Sequence, residues 1–573
     1  MMDMYNKWLN SPVVDEATKE ELRSIAGNTE EITARFGVPL EFGTAGLRSI
    51  MTAGTGRMNI YTVAHNTAGL AKLVLDNGGA ERGVAIAYDS RINSIEFAKV
   101  SAEVLAASGI KVYYFESLRP TPELSFAILH LNCIAGINIT ASHNAMEYNG
   151  YKAYWEDGAQ LPPDHAAVVS ETVAALDIFE DVKRLPFDEG VAKGLITVIG
   201  EEVDEAYMAS VLACRVCPDA LEEYGDSLNI IYTPLHGAGY RLVPEVLKRS
   251  GVTNLRMVAS QAVPDGRFPT VKSPNPESKA CFVDGMEMAK AEGIDCDLIL
   301  ATDPDSDRVG IVVKDPEGNF VPFSGNQVGA LLIEYIIRGR REKGTMPDNP
   351  CIIKSVVSSE LGEAVCTANG VTMMNVLTGF KYIGEKICQF EKAAEENDTS
   401  REYTYLFGYE ESYGYLAGTH ARDKDAAVSA LLICEMAESL KKRGLSLTER
   451  LGELYSEYGY FLDHLESFTL KGKDGIEKIN SMMQKLRENG SPFENTEKTE
   501  DLIKGLPAEE GFGMLPTADV LKYTLCDGSW IAVRPSGTEP KIKIYYSIQA
   551  ENKTQAESRL EQAVKTVRKA LDL

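Results

Sequence analysis

Residues 84–88, Val-Ala-Ile-Ala-Tyr, are an unbroken apolar run that stops at the polar Asp89-Ser-Arg91. Such a run predicts a buried strand. Helical spacing follows over 94–108, a second strand pattern over 111–115 and a helix from 121. Residues 135–140, Ala-Gly-Ile-Asn-Ile-Thr, are a third strand. This strand–helix alternation predicts a largely parallel sheet with helices on its faces. Residues 1–35 alternate charged and apolar positions and read as helices packed on this first domain; the early acids of 15–22 suit a helix N-terminus.

A second α/β unit begins near 201, with a strand and turn over 228–237, a helix over 242–249 and a strand over 255–258. A proline-rich structured loop over 263–277 and a strand over 296–301 complete it. A third unit starts near 320, with strands at 351–357, 372–377 and from 405. Its helix, 426–440, is opened by Arg422-Asp-Lys-Asp425, where Asp423 or Asp425 can act as cap. The last domain, from about 456, carries charged helices and loops between about 465 and 520, strands at 530–533 and 541–547, and an amphipathic helix at 553–571.

Four strand-end stretches carry candidate chemistry. Asn138-Ile-Thr-Ala-Ser-His-Asn144 places Ser142 on a loop after a buried strand, the usual place for a reactive group in an α/β protein. His143, Asn144 and Asn149 can hold that loop through backbone hydrogen bonds. Lys152 follows as an acid/base or a phosphate counter-charge. A polar turn alone would look the same. Thr302-Asp-Pro-Asp-Ser-Asp-Arg308 sets Asp303, Asp305 and Asp307 at alternate positions, closed by Arg308. Unpaired, those carboxylates would repel one another, and a divalent cation resolves this; their hard oxygens suit Mg²⁺. A calcium loop shares the spacing but lacks its glycine and distal glutamate, and a solvated acidic turn is the bland alternative. Tyr405-Leu-Phe-Gly-Tyr-Glu-Glu-Ser-Tyr-Gly414 offers Glu410, Glu411 and Ser412 to sugar hydroxyls, and Thr378 and Lys381 stand at a neighbouring strand end. Arg534-Pro-Ser-Gly-Thr-Glu-Pro-Lys541 combines Arg534, Ser536, Gly537, Thr538 and Lys541 in a phosphate cradle. Glycine-rich Phe42-Gly-Thr-Ala-Gly-Leu-Arg48 can bring backbone N–H groups and Arg48 to a further phosphate.

Composition narrows the partners. The 573 residues carry a net charge of −26, which argues against nucleic acid and anionic membranes and confines any anion site to a local basic cleft. Ten cysteines without zinc spacing, the lone C-x-x-C of Cys214 and Cys217 on a helix-like stretch included, read as structural thiols of a reducing cytoplasm. The N-terminus has no secretory pattern, and no apolar run is long enough to span a bilayer. A small-molecule substrate is the expected partner, with no protein partner implied.

Together these motifs resemble the α-D-phosphohexomutase superfamily, most closely its long phosphoglucomutase and phosphopentomutase branch. The resemblance runs from Phe42 to Lys541. It implies four domains around a central cleft, three mixed α/β sandwiches and a C-terminal α+β domain, each giving one loop. These are 1–203 with a phosphoserine loop, 204–320 with a metal loop, 321–455 with a sugar loop and 456–573 with a phosphate loop. It implies that Ser142 carries a phosphoryl group and that Asp303, Asp305 and Asp307 ligate one Mg²⁺ completed by a phosphoserine oxygen. Lys424 matches the family's acid/base lysine, with Lys152 and Arg308 beside it. Arg48 faces the active site, Glu410 and Ser412 contact the sugar, and His143, Thr378, Lys381 and the 534–541 cradle complete substrate binding. The implied reaction interconverts α-D-glucose 1-phosphate and glucose 6-phosphate through glucose 1,6-bisphosphate, which is also the activator. Phosphopentomutase, phosphomannomutase, a metal-dependent phosphatase and a non-catalytic binder are the alternatives. Where the family usually has Ser-His-Asn-Pro, this chain has Ala145, so a more mobile loop is expected. Crowded cations are expected to lower a lysine pKa enough to make a base.

Overall fold

The computed structural model describes residues 1–573 apart from 44–45, 400, 471–474, 506, 508–511, 513 and 537–540. Two compact units are built from the chain. The first comprises Met1–Phe323 and Tyr413–Glu438, the second Ser324–Ser412 and Ser439–Leu573.

In the first unit, one sheet holds β1 (Leu47–Ile50), β2 (Val84–Tyr88), β3 (Val112–Phe115), β4 (Ala135–Ile139), β5 (Tyr148–Trp155) and β6 (Ile196–Ile199) in the order β1-β5-β4-β2-β3-β6. Its middle strands β4, β2, β3 and β6 are parallel. Every residue of β2 and β4 is buried, as helix-covered parallel strands require. β1 and β5 run antiparallel to their neighbours, a departure from the expected parallel order. Tyr148–Trp155, which carries Lys152 and for which the sequence suggests no element, pairs beside the edge strand, its aromatic residues Tyr151 and Trp155 packing into the core. Gly150 permits this, since a Cβ there would lie 2.4 Å from the Thr140 carbonyl oxygen and 2.7 Å from that of Leu47. The N-terminal helices Met2–Asn10, Glu16–Ser24 and Thr29–Phe36 close over a separate aromatic core of Trp8, Phe36, Tyr61 and Phe179.

The second sheet of this unit holds β7 (Ile230–Thr233), β8 (Leu255–Met257), β9 (Leu298–Thr302), β10 (Val309–Lys314) and β11 (Phe320–Pro322), ordered β11-β10-β9-β7-β8. β7 is parallel to β8 and β9, and β9-β10-β11 is an antiparallel meander. The aspartate loop is the β9–β10 connection.

In the second unit, β12 (Pro350–Ser355) lies between β13 (Thr372–Val376) and β14 (Thr404–Glu410), parallel to both. Helix Gly325–Glu342 starts on a Ser324/Gln327 capping box. After β14 the chain returns to the first unit through β15 (Gly414–Ala417) and helix Ala426–Lys441. The remaining sheet is antiparallel: β16 (Tyr460–Thr469), β17 (Thr496–Asp501), β18 (Leu521–Leu525), β19 (Trp530–Pro535) and β20 (Lys541–Ala550), ordered β16-β20-β19-β18-β17. Helices Gly475–Asn489 and Lys553–Leu571 cover it through Ile479, Met483, Val567 and Leu571. β16 and β17, expected as helix and loop, are edge strands whose charged residues hide the period-2 signal while blunting the edges. Among the described residues no helix is long and apolar enough to cross a membrane.

Candidate active site

In the first unit the site grows from the end of β4. Thr140 Oγ1 accepts the Ser142 N–H at 2.8 Å, a local turn that ends the strand. Ser142 takes φ +51°, a left-handed conformation that a non-glycine residue adopts only when its surroundings impose it. Its Oγ donates to Asp303 Oδ2 at 2.7 Å and lies 3.1 Å from His143 Nδ1. Burial, with Arg308 and Arg48 adding to it, holds the His143 imidazole well below its usual range.

The three aspartates are buried, with ligand oxygens within 4.8 Å of one another. Asp303 Oδ1 accepts the N–H groups of Asp307 and Arg308 at 3.1 and 3.0 Å. Asp305 Oδ2 accepts from Thr121 Oγ1 and Lys152 Nζ, each at 2.8 Å. Lys152 and Lys424 each place Nζ 3.3 Å from Asp307 Oδ2. Burial and the neighbouring Asp305 and Asp307 charges push the Asp303 carboxyl well above its usual range. Asp307 goes the other way: burial opposes its charge, but Lys424, Lys152 and Arg308 outweigh it. The buried Oδ1 atoms of Asp305 and Asp307 accept no hydrogen bond among the described residues. Three convergent hard oxygen donors with two unused buried oxygens fit a divalent cation.

Lys152, on β5, corrects an expectation. Burial lowers its pKa, yet Asp305, Asp307 and Asp423 overcome that and raise it. It faces carboxylates rather than cations and is charged in this arrangement. Lys424 lies in the segment before helix Ala426–Lys441. Asp425 caps that helix by accepting the N–H groups of Ala427 and Val428 at 2.8 and 3.1 Å. Asp423 meets Lys424 Nζ at 2.9 Å and is steadied by Tyr154 and Gln160. A Cβ on Gly414 would fall 2.0 Å from Lys424 Cδ, so that glycine makes room for the lysine stem. Gly414→Ala is expected to fold, displace the Lys424 ammonium and lower kcat by about tenfold or more, as steady-state kinetics would record.

Arg308 Nη1 is paired with Glu277 at 2.6 Å, and Arg48, on β1, donates to Asn144 Oδ1 at 3.1 Å. Cys214 lies beyond the end of helix Glu201–Leu212 rather than on it, its thiol donating to the Ser210 and Ala417 carbonyls. All ten cysteines are free thiols.

In the second unit Glu410, buried at the end of β14, accepts the Gly379 N–H at 2.7 Å and so adjoins the Thr378 turn. Thr378 Oγ1 is buried without a hydrogen-bond partner among the described residues. Lys381 opens helix Lys381–Glu396, its pKa lowered by burial. Glu411 accepts from Ser355 Oγ at 3.0 Å, and burial beside Glu410 pushes its carboxyl up to about 7. Ser412 follows one residue later. Arg534, next to the end of β19, pairs in register with Lys543, while Ser536 N–H donates to the Lys541 carbonyl at 2.7 Å. Gly537 and Thr538 lie outside the described residues, as do Thr44 and Ala45.

Two residues behind the serine loop went unassigned in the sequence. Arg91 donates to the carbonyls of Ser142, Asn144, Ala145 and Tyr148, the last two at 2.9 and 3.0 Å. Asp89 accepts from Thr140 Oγ1 at 2.6 Å and pairs with Arg91. The signal was the two opposite charges at the C-terminal end of a buried parallel strand. Ala145, where a proline was expected, is thus held by its carbonyl.

Four descriptions match the chain in order: Phosphoglucomutase/phosphomannomutase, alpha/beta/alpha domains I, II and III over residues 39–178, 205–318 and 324–458, and its C-terminal domain over 479–565. The chain belongs to the phosphoglucomutase/phosphomannomutase family. It therefore has the four-domain phosphohexomutase architecture and is a mutase, an isomerase. Staphylococcus epidermidis phosphoglucomutase is 37% identical over 567 residues, covering 96% of this chain and 97% of that protein. Parafusin, a phosphoglucomutase of Paramecium in its open form, superposes with a TM-score of 0.70 at 16% identity, over 93% of this chain and 96% of that one. A Thermus thermophilus putative phosphomannomutase gives 0.65 at 21%, over 93% and 99%. These two likenesses concern the fold alone.

Proposed function

We propose that this mutase interconverts α-D-glucose 1-phosphate and glucose 6-phosphate through a phosphorylated Ser142 and a bound glucose 1,6-bisphosphate. The observation that carries the reading is the Ser142 hydroxyl, held in a strained turn with its Oγ 2.7 Å from Asp303 inside a buried acid cluster. The name and high coverage of the Staphylococcus relative favour glucose over pentose or mannose phosphates. Functional labour divides as a phosphoserine loop in 1–203, a metal loop in 204–320, a sugar loop in 321–455 and a phosphate loop in 456–573. Ten free thiols support a reducing, cytoplasmic setting.

Asp303, Asp305 and Asp307 are the residues to hold Mg²⁺, with an oxygen of phospho-Ser142 as a further ligand; the ion supplies charge neutralisation for phosphoryl transfer. Lys152 and Arg308 add fixed positive charge. The sugar hydroxyl attacks phosphorus, the bond to Ser142 Oγ breaks, and Oγ takes up a proton. Lys152 and Lys424, each with Nζ 3.3 Å from Asp307 Oδ2, are the groups to exchange protons with the sugar hydroxyl and Ser142 Oγ. The bisphosphate reorients and returns its other phosphoryl group to Ser142. Arg48 and His143 contribute to phosphate binding. Glu410, Ser412, Thr378 and Lys381 take the sugar, and Arg534, Ser536, Gly537, Thr538 and Lys541 take the phosphate that is not being transferred.

Intact mass after incubation with glucose 1,6-bisphosphate tests the reading. A mutase retains one phosphate on Ser142, a phosphatase loses it and a binder never gains it. A panel of 1-phosphosugars assayed with Mg²⁺ and catalytic bisphosphate then fixes the sugar; a higher kcat/KM on ribose 1-phosphate would overturn the glucose assignment. Arg534→Ala is expected still to accept phosphate on Ser142, to lose about 2–4 kcal/mol of transition-state binding in kcat/KM and to release more free bisphosphate per turnover. Unchanged kcat/KM with no added release would remove the cradle from substrate binding.

A further inference from the structure

We infer that Arg91 is a positioning residue for phosphoryl transfer, holding Ser142 in its left-handed conformation. The inference rests on Ser142 being the phosphoryl acceptor. One guanidinium serves four carbonyls of the loop: Nη1 takes those of Ala145 and Tyr148, Nη2 those of Ser142 and Asn144. Arg91 is itself fixed from behind. Its backbone N–H donates to Asp89 Oδ1 at 2.8 Å, and its Nε lies 3.3 Å from Asp89 Oδ2. Asp89 is bonded in turn by Ser94 Oγ at 2.8 Å and Thr140 Oγ1 at 2.6 Å. Thr140 is the residue whose hydroxyl accepts the Ser142 N–H. The loop backbone is thus gripped on both sides of the Ser142 Cα, the N–H through Thr140 and the C=O through Arg91.

The clamp reaches the metal-loop domain as well. Phe268 sets its ring 5.0 Å from the Arg91 guanidinium carbon, and Arg91 forms a β-bridge with Gly266. The same segment donates Ser273 Oγ to the His143 carbonyl at 2.7 Å and places Glu277 on Arg308. Arg91 is therefore one of the points, with the Ser273–His143 bond, where the serine loop and the 263–277 loop are tied together. A planar fork with five donors can serve four carbonyls at once; a lysine ammonium on a flexible stem has three donors and no plane. At position 145, an alanine, the backbone is restrained by a hydrogen bond from outside the loop, Arg91 Nη1 to the Ala145 carbonyl at 2.9 Å.

The test compares wild type with Arg91→Lys, which keeps the charge opposite Asp89 and loses the fork. The readouts are the rate at which glucose 1,6-bisphosphate phosphorylates Ser142, followed by intact mass, and steady-state kcat and KM. We expect a folded Arg91→Lys protein whose phosphorylation rate and kcat fall about 10–100-fold, with KM for glucose 1-phosphate changed less than about threefold. Phe268→Leu, which removes the covering ring and leaves every hydrogen bond, is expected to show the same split at about 3–10-fold. A folded Arg91→Lys that phosphorylates at the wild-type rate overturns the inference. If Arg91→Lys does not fold, a wild-type rate in Phe268→Leu overturns it. Absence of phosphate on wild-type Ser142 would instead remove the proposed function on which it stands.

Discussion

Ser142→Ala is expected to lower mutase turnover by about 10⁴-fold or more, because it removes the hydroxyl proposed to accept the phosphoryl group. The variant should fold, since it loses one oxygen with its contacts to Asp303 and His143 and disturbs no strand. Ser142→Gly provides a second reading of the same residue. It removes the hydroxyl equally and also relieves the left-handed strain at φ +51°. Glycine should therefore be the more stable of the two inactive variants by roughly 1 kcal/mol. Coupled-assay rates and paired thermal melts measure both effects. Equal stabilities would mean the turn costs nothing to hold. Residual activity near wild type in either variant would dismiss Ser142 as the nucleophile.

The parts of this architecture that sequence displays are those set by short-range pattern. β2 is an unbroken apolar run and β4 and β9 are mostly apolar and fully buried, because central strands are covered on both faces, and the C-terminal helix Lys553–Leu571 matches its amphipathic spacing to the residue. The charged edge strands β16 and β17 escaped because solvent-facing edges are selected against looking like strands. β5 escaped for another reason: Gly150 interrupts its strand pattern, and only the approach of Thr140 and Leu47 makes glycine a sheet residue there. The site divides in the same way. Asp303, Asp305 and Asp307 are legible as a unit because their chemistry lies within one loop. Lys152 was legible as a charge, but its direction of pKa shift depends on Asp305, Asp307 and Asp423, which lie far away in sequence. Arg91 and Asp89 act on a loop some fifty residues on, with |i−j| of 51 to 57, so no window of sequence contains both partners.

Asp303→Asn should separate function from stability at the acid cluster. In the presence of Mg²⁺ it is expected to slow phosphoryl transfer by about 10²–10⁴-fold, since one of three hard ligands to the proposed ion becomes neutral. With divalent ions chelated, the same change should leave the fold as stable as wild type or more so. The asparagine oxygen can still accept the N–H groups of Asp307 and Arg308, which lie 3.1 and 3.0 Å from Asp303 Oδ1. What disappears is a fully buried charge next to Asp305 and Asp307, whose cost is the reason the Asp303 carboxyl is driven up. For 573 residues melting together, a gain of about 1 kcal/mol would appear as a rise in Tm of roughly 1 °C in chelator. Wild type, by contrast, should gain stability when Mg²⁺ is restored, by mass action on the folded state, and the variant should gain much less. Matched melts with and without Mg²⁺, set beside single-turnover transfer rates, measure each arm. Equal Mg²⁺ stabilisation of the two proteins would place the ion elsewhere. A large loss of stability for Asp303→Asn in chelator would show that its hydrogen bonds outweigh the repulsion, making this carboxylate a structural brace as well as a ligand.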